Sequence, residues 1–308
     1  MRRLQLMSEQ ATAAASRRRG IAYALAVVGL FSSFVLVSRF GLTTSLSLPD
    51  IAALRFCVAG LVLSPIVIRH GFSGLRIFQA VGLAMLGGLS FALLAYAGFA
   101  LAPAAHGAVL LHGTLSLTTA VLMGILGAGV GRTGQNVGLA VIALGIAAMA
   151  WDGWASASAQ LILGDLFLLL ASLCWSGYGI YVRRLGLSAI RAASIVAVVS
   201  AIAFLPIYAT FPGKALLQAE WHDFVLQGVF QGVLIGAASI FVYTRAVALL
   251  GPTDVSLFTA AVPAVTTLAG YFFLAEIPTA ATLTGVGLVT LGMLIALRGS
   301  PSRELSKR

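Results

Sequence analysis

Ten apolar runs divide the sequence, at residues 20–39, 49–68, 77–98, 104–126, 134–150, 164–182, 189–209, 224–247, 254–275 and 279–297. A helix needs about 20 predominantly apolar residues to cross a hydrocarbon core, and each run meets that length approximately. Polar residues gather in the short breaks between runs, the longest being Trp151–Leu163 and Thr210–Asp223. None of these connections could fold as a separate domain. The pattern predicts an all-α polytopic membrane protein of ten transmembrane helices. A polar, arginine-containing tail over residues 1–19, expected to be disordered, precedes the first run, and residues 299–308 form a second tail.

The runs repeat. Adding 147 to Tyr96, Thr119, Gly138 and Gly145 gives Tyr243, Thr266, Gly285 and Gly292. Adding 144 to Gly20, Phe31, Ser32 and Arg39 gives Gly164, Trp175, Ser176 and Arg183, and Pro65 plus 141 gives Pro206. A period of this kind marks an internal duplication, so residues 20–150 and 164–298 read as two halves of five spans each. Five is odd, so the second half enters the membrane in the opposite orientation. Two inverted-topology five-helix repeats around a midplane site are the plan of many secondary transporters.

Composition agrees. The chain is 60% hydrophobic and only 9% charged, against about 25% charged for an ordinary soluble domain. Its net charge of +10 is distributed as a membrane protein distributes it. With a cytoplasmic N-terminus, sixteen of the nineteen basic residues fall on the cytoplasmic side; Arg39, Arg55 and Lys214 lie outward with Asp50, Asp152, Glu220, Asp223 and Glu276. That bias orients the helices and places both termini in the cytoplasm of a multi-pass inner-membrane protein. Arginines flank apolar runs instead of interleaving with stacking aromatics, which argues against a nucleic-acid partner. The first run, after Arg17, Arg18 and Arg19, exceeds a signal peptide's apolar core of about 7–15 residues and reads as a retained helix.

No cofactor motif stands out. Cys57 and Cys174 lie in apolar runs without CxxC spacing and read as small buried hydrophobes. The run Gly127–Gly134 looks superficially like a phosphate loop, but no Gly-Lys-Ser/Thr follows and no strand precedes it. It reads as a flexible cytoplasmic turn, and Gly134 with Gly138 reads as a helix-packing pair.

Arg55-Phe56 in the second run, and Pro263, Glu276, Gly285 and Gly292 in the last two, resemble the pattern of the EamA family of the drug/metabolite transporter superfamily. The resemblance covers roughly residues 20–298. In the first half, Ser116 stands at the position equivalent to Pro263 and Gly129 at that of Glu276. The resemblance implies export of amino acids or other small metabolites by alternating access. It also implies a central cavity formed mainly by helices one, three, four, six, eight and nine.

The candidate substrate-binding residues are Phe31, Phe34, Tyr96, His112, Trp175, Tyr178, Gln231 and Tyr243. Trp175 and Tyr178 are three apart and share a helix face, as do Phe31 and Phe34 at the equivalent place. Such faces suit a wall that stacks flat solutes, or interhelical packing with Ser32 and Ser176 as small interface residues. Tyr96 and Tyr243 fit either the two gates of a path or an aromatic belt. His112 lies at membrane depth, where polar groups are expensive and often functional; His106 reads as interfacial. Gln227 and Gln231 are four apart and fit either substrate hydrogen bonding or a helix clamp. Arg55 reads as a structural residue that snorkels outward or meets a carboxylate such as Glu276, and Asp254 as the cap of the ninth helix.

The partners expected are a small-molecule substrate and the lipid bilayer, with self-association open. Without a nucleotide motif, any driving energy comes from a gradient. A lipid-carrier flippase and a membrane-embedded enzyme on a lipid-linked substrate are the alternatives. The enzyme requires a cluster such as a histidine–acid pair.

Overall fold

The computed structural model describes residues 2–72, 74–127, 133–155 and 158–299. All regular structure among them is helical, and ten helices are long and apolar enough to cross a membrane. They are α1 (Arg2–Gly41), α2 (Leu48–His70), α3 (Ile77–Leu101), α4 (Ala104–Ile125), α5 (Thr133–Ala155), α6 (Ala159–Arg184), α7 (Ala189–Thr210), α8 (Trp221–Leu250), α9 in two pieces (Pro252–Thr259 and Val262–Leu274) and α10 (Ala280–Gly299).

Short connections make successive helices alternate in direction. One end of the bundle, here the basic end, therefore carries Arg17–Arg19, Arg69, Arg76, Arg183, Arg184, Arg191 and Arg245. The other end carries the junctions α1–α2, α3–α4, α5–α6, α7–α8 and α9–α10.

Several boundaries differ from expectation. α1 begins at Arg2, so the segment expected to be a disordered tail is helical. α6 begins five residues early because Ser158 caps it, its hydroxyl accepting the Leu161 N–H at 3.2 Å. α9 is entered through Gly251 at φ 87° and starts at Pro252. Asp254 thus sits inside the first turn, where its charge suits the helix dipole, and does not cap it. Residues 128–132 of the glycine-rich turn and residues 300–308 of the second tail lie outside the described residues.

The closest backbone approach joins α5 to α10. A Cβ on Gly138 would lie 2.3 Å from the Ala296 nitrogen, one on Gly292 2.8 Å from the Gly138 oxygen, and ones on Gly145 and Gly285 each 3.0 Å from the other's oxygen. The glycines related by the offset of 147 therefore pack on one another. Only the missing side chains allow it, and the residue that completes the seam with Gly138 is Gly145.

Three helices widen into π turns inside the bundle: α3 at Met85–Leu89, α4 at Ala108–Gly113 and α8 at Gly228–Ala238. Each ladder of i to i+4 bonds is interrupted there, an arrangement concentrated at functional sites. α4 also breaks at Thr114, just past its π turn, and α9 breaks at residues 260–261, just before Pro263.

Candidate functional site: a central cavity closed at one end

The π turns and the α9 break surround a cavity of about 1040 Å³. All ten helices contribute to its wall, four more than the six expected. The lining reaches the last turns at the basic end through Met123, Gly124, Gln135, Asn136, Ser256 and Leu297. Toward the opposite end it stops near Phe31, Arg55 and His112, at mid-helix.

Five of the eight candidate residues line this space: Phe31, His112, Trp175, Tyr178 and Tyr243. They form two aromatic faces. On one, Phe31 stacks on His112 with centroids 5.3 Å apart and on Tyr243 at 6.5 Å. On the other, Trp175 lies 5.2 Å from Tyr178 and 4.7 Å from Phe91. The π turn of α3 makes room for the second face, since a Cβ on Gly87 would stand 2.5 Å from the Tyr178 ring. Ser176 faces away from it and bonds the Thr118 and Thr119 hydroxyls at 2.7 and 3.0 Å, holding α6 against α4.

The other three candidates are not in the wall. Phe34 is buried behind it, edge-on to Phe99 at 5.4 Å and beside Tyr96 at 6.2 Å. Tyr96 and Gln231 are both fully buried, so Tyr96 belongs to no aromatic belt. The Tyr96 hydroxyl donates to Gln231 Oε1 at 3.1 Å, and Gln231 Nε2 donates to Ser38 at 2.9 Å and to Gln227 Oε1 at 3.2 Å. Gln227 Nε2 in turn donates to the Val37 carbonyl at 2.9 Å. The glutamines therefore clamp α1, α3 and α8 together above the cavity. In a medium without water each amide needs such partners.

The closed end is held by polar knots. Arg39 forms an ion pair with Glu276, and its Nη1 donates to the Phe99 and Ala102 carbonyls at 2.6 and 2.7 Å. Glu276 Oε2 accepts the Ala104 N–H at 2.7 Å. Ala275, at φ 54°, turns the chain so that Glu276 can reach back. One residue pair thus joins α1, α3, α4 and the α9–α10 connection. The partner expected for Glu276 was Arg55, but Arg39 lies at the right depth and takes it.

His106 is completely buried, not interfacial. Its Nδ1 lies 2.8 Å from Asp165 and its Nε2 3.3 Å from the Thr282 hydroxyl. This is the histidine–acid pair an enzyme would require, but it lies outside the central cavity and ties α4, α6 and α10 together. Asp165 sits in the first turns of α6, and its depth in an apolar run was the sequence signal for it.

Arg55 is the functional candidate that sequence reasoning assigned elsewhere. Snorkelling would leave its head in water, yet the side chain is 93% buried, on relative exposure of 7%. It lines the cavity, with its guanidinium 5.3 Å from the Phe34 centroid and 5.9 Å from that of Phe91.

A bundle of ten candidate spans around a wide cavity defines a multi-span helical membrane protein. Residues 162–298 match the model of the family described as the EamA-like transporter family. The family match and the ten apolar helices support a multi-span membrane transporter of small molecules. A solved structure titled "Crystal structure of protein" is similar over 91% of this chain and 97% of that one, with a TM-score of 0.58 and 18% identity, a likeness of fold alone. No curated protein matches the sequence.

Proposed function

We propose that the protein is a secondary transporter that exports amino acids or related small metabolites from the cytoplasm by alternating access. The observation that carries this reading is the cavity itself. It is large enough for a metabolite, lined by aromatic faces and by polar groups from Ser116, Thr119, Gln135 and Asn136, and continuous with one end only. By the positive-inside rule the basic end faces the cytoplasm, so the cavity is in its inward-facing state, with termini on the cytoplasmic side of the inner membrane.

Inverted duplication supplies the second state. The offset of 147 carries Met85–Leu89 onto residues 232–236, within the π turn of α8, and carries Thr114 onto Ala261, in the α9 break. Helices interrupted at equivalent points give both halves the same places to bend, which supports exchange of conformations between them.

The test is efflux from proteoliposomes loaded with amino acids and flat aromatic metabolites, with and without a proton gradient. Wild-type protein should move at least one soluble solute, and Trp175→Ala should reduce that flux about tenfold or more, as loss of a stacking face at a binding site does. Flux unaffected by Trp175→Ala would remove the aromatic face from the site. Turnover of a lipid substrate without solute flux would overturn the reading.

A further inference from the structure

Among the described residues lining the cavity, Arg55 is the one permanently charged side chain, and none is a carboxylate. Its Nη1 is sealed from solvent and has no hydrogen-bond partner, while another edge of the guanidinium is within hydrogen-bonding reach of the buried Tyr96 hydroxyl. Phe34 and Phe91 attract the cation through their ring faces but accept no conventional hydrogen bond from its N–H groups.

No carboxylate among the described residues lies within ion-pair distance of it. Glu276 is taken by Arg39, Asp165 faces His106, and Asp223 faces His222. Asp50 accepts from Ser47, Tyr208 and Ala215. A buried charge without a counterion is strongly unfavourable, and packing alone does not explain why this one is kept.

The surroundings suggest what it waits for. Phe91 touches both the guanidinium and Trp175, and Phe34 touches both the guanidinium and His112, whose Nδ1 is likewise buried without a partner. A guanidinium nitrogen and a ring nitrogen, both without partners, therefore lie near each other in the wall, and Phe91 links the guanidinium to the indole of Trp175.

We propose that Arg55 anchors a carboxylate of the transported solute while the solute's flat or aromatic body lies along Trp175 and Tyr178. The guanidinium fork matches a carboxylate in two parallel bonds, and the bound anion supplies the countercharge the protein lacks. Cationic amines meet no acid in this cavity and are excluded. The inference rests on the transporter reading and names the class of solute within it.

Four probes with one body and different heads separate the possibilities: 3-phenylpropanoate, L-phenylalanine, 3-phenylpropanamide and phenethylamine. Affinity is read from the concentration-dependent rise in unfolding temperature of the full chain in detergent, and flux from proteoliposomes. The two carboxylates should bind about tenfold or more tighter than the amide, the difference a charge-assisted hydrogen bond makes, and the amine should not bind. Arg55→Gln should bring the carboxylates down to the amide's affinity and leave the amide unchanged. Arg55→Lys, which keeps the charge without the fork, should retain an intermediate preference, and it serves as the variant if the glutamine form does not fold.

Equal binding of acid and amide by wild type, or an equal loss of all probes on substitution, overturns the anchor. So does an absence of binding by any probe. Flux of the amide that ignores Arg55 sinks the anchor and leaves the transporter standing. Carboxylate-selective binding without flux of any probe does the reverse.

Discussion

The two ends of this bundle are built from different interactions. At the closed end, charged and amide side chains from distant parts of the sequence converge: Arg39 on Glu276, His106 on Asp165, and Tyr96 through Gln231 to Ser38. At the basic end, Tyr243, the counterpart of Tyr96 by the offset of 147, lines the cavity and meets Phe31 by ring stacking. The counterpart of Glu276 in the sequence is Gly129, which carries no carboxylate. Two related halves thus carry unequal closures. The lesson is that the sequence offset lines up the places where the helices bend, whereas a few side chains that differ at equivalent positions distinguish the two ends.

Both ends depend on an intact α5–α10 seam, and the largest expected effect comes from breaking it. Gly138→Leu forces a side chain to where a Cβ alone would stand 2.3 Å from backbone. Overpacking of this kind costs about 1–3 kcal/mol or more. Folded yield in size-exclusion chromatography should collapse, while Gly29→Leu, with open space around its position, should leave it unchanged.

The latch comes next. Glu276→Gln removes the ion pair and leaves Arg39 with only carbonyl partners, a loss of about 1.5–3 kcal/mol for a hydrogen bond to a charged group. In a Cys57→Ser/Cys174→Ser background, a reporter Ser38→Cys should then react with an impermeant thiol reagent from the closed end about tenfold faster. Unchanged labelling would mean that the glutamine clamp closes that end without the latch.

The smallest effect sharpens the contrast most directly. Tyr96→Phe removes the donor to Gln231 and should lower stability by about 1 kcal/mol, seen as a lower unfolding midpoint in detergent. Tyr243→Phe should leave the midpoint in place. Equal shifts would show that the two tyrosines do equivalent work despite their different surroundings.

Much of this was legible in the sequence. Apolar runs located all ten spans, because the bilayer imposes length and backbone satisfaction on every crossing segment. The start of α6 and the first turn of α8 were missed because Ala159–Leu163 and Trp221–Asp223 mix polar and apolar residues at the interface. The π turns have no residue signature, since hydrogen-bond shift and not composition creates them, and they defeat face assignment by spacing. Gln227 and Gln231 do share a side of α8, but the wide turn beginning at Gly228 aims them at α1 and α3 instead of at the cavity. Phe34 shares spacing with Phe31, yet spacing cannot say which of two adjacent faces meets the void. Arg55 was misassigned because depth along a helix does not reveal a partner. Arg39, at the end of α1, reaches Glu276 first and leaves Arg55 without a carboxylate.

The glycine seam has a mechanical consequence. Where Gly138 and Gly145 press on Gly285 and Gly292, backbone lies close to backbone, and Met149, Ile142 and Val289 fit into the hollows left at Gly285, Gly292 and Gly145. Such a contact resists being pulled apart, because tight packing would be lost along its whole length, and the seated side chains also oppose a change of crossing angle. α5 and α10 therefore behave as a rigid pair, a fixed post about which the other helices would have to rearrange.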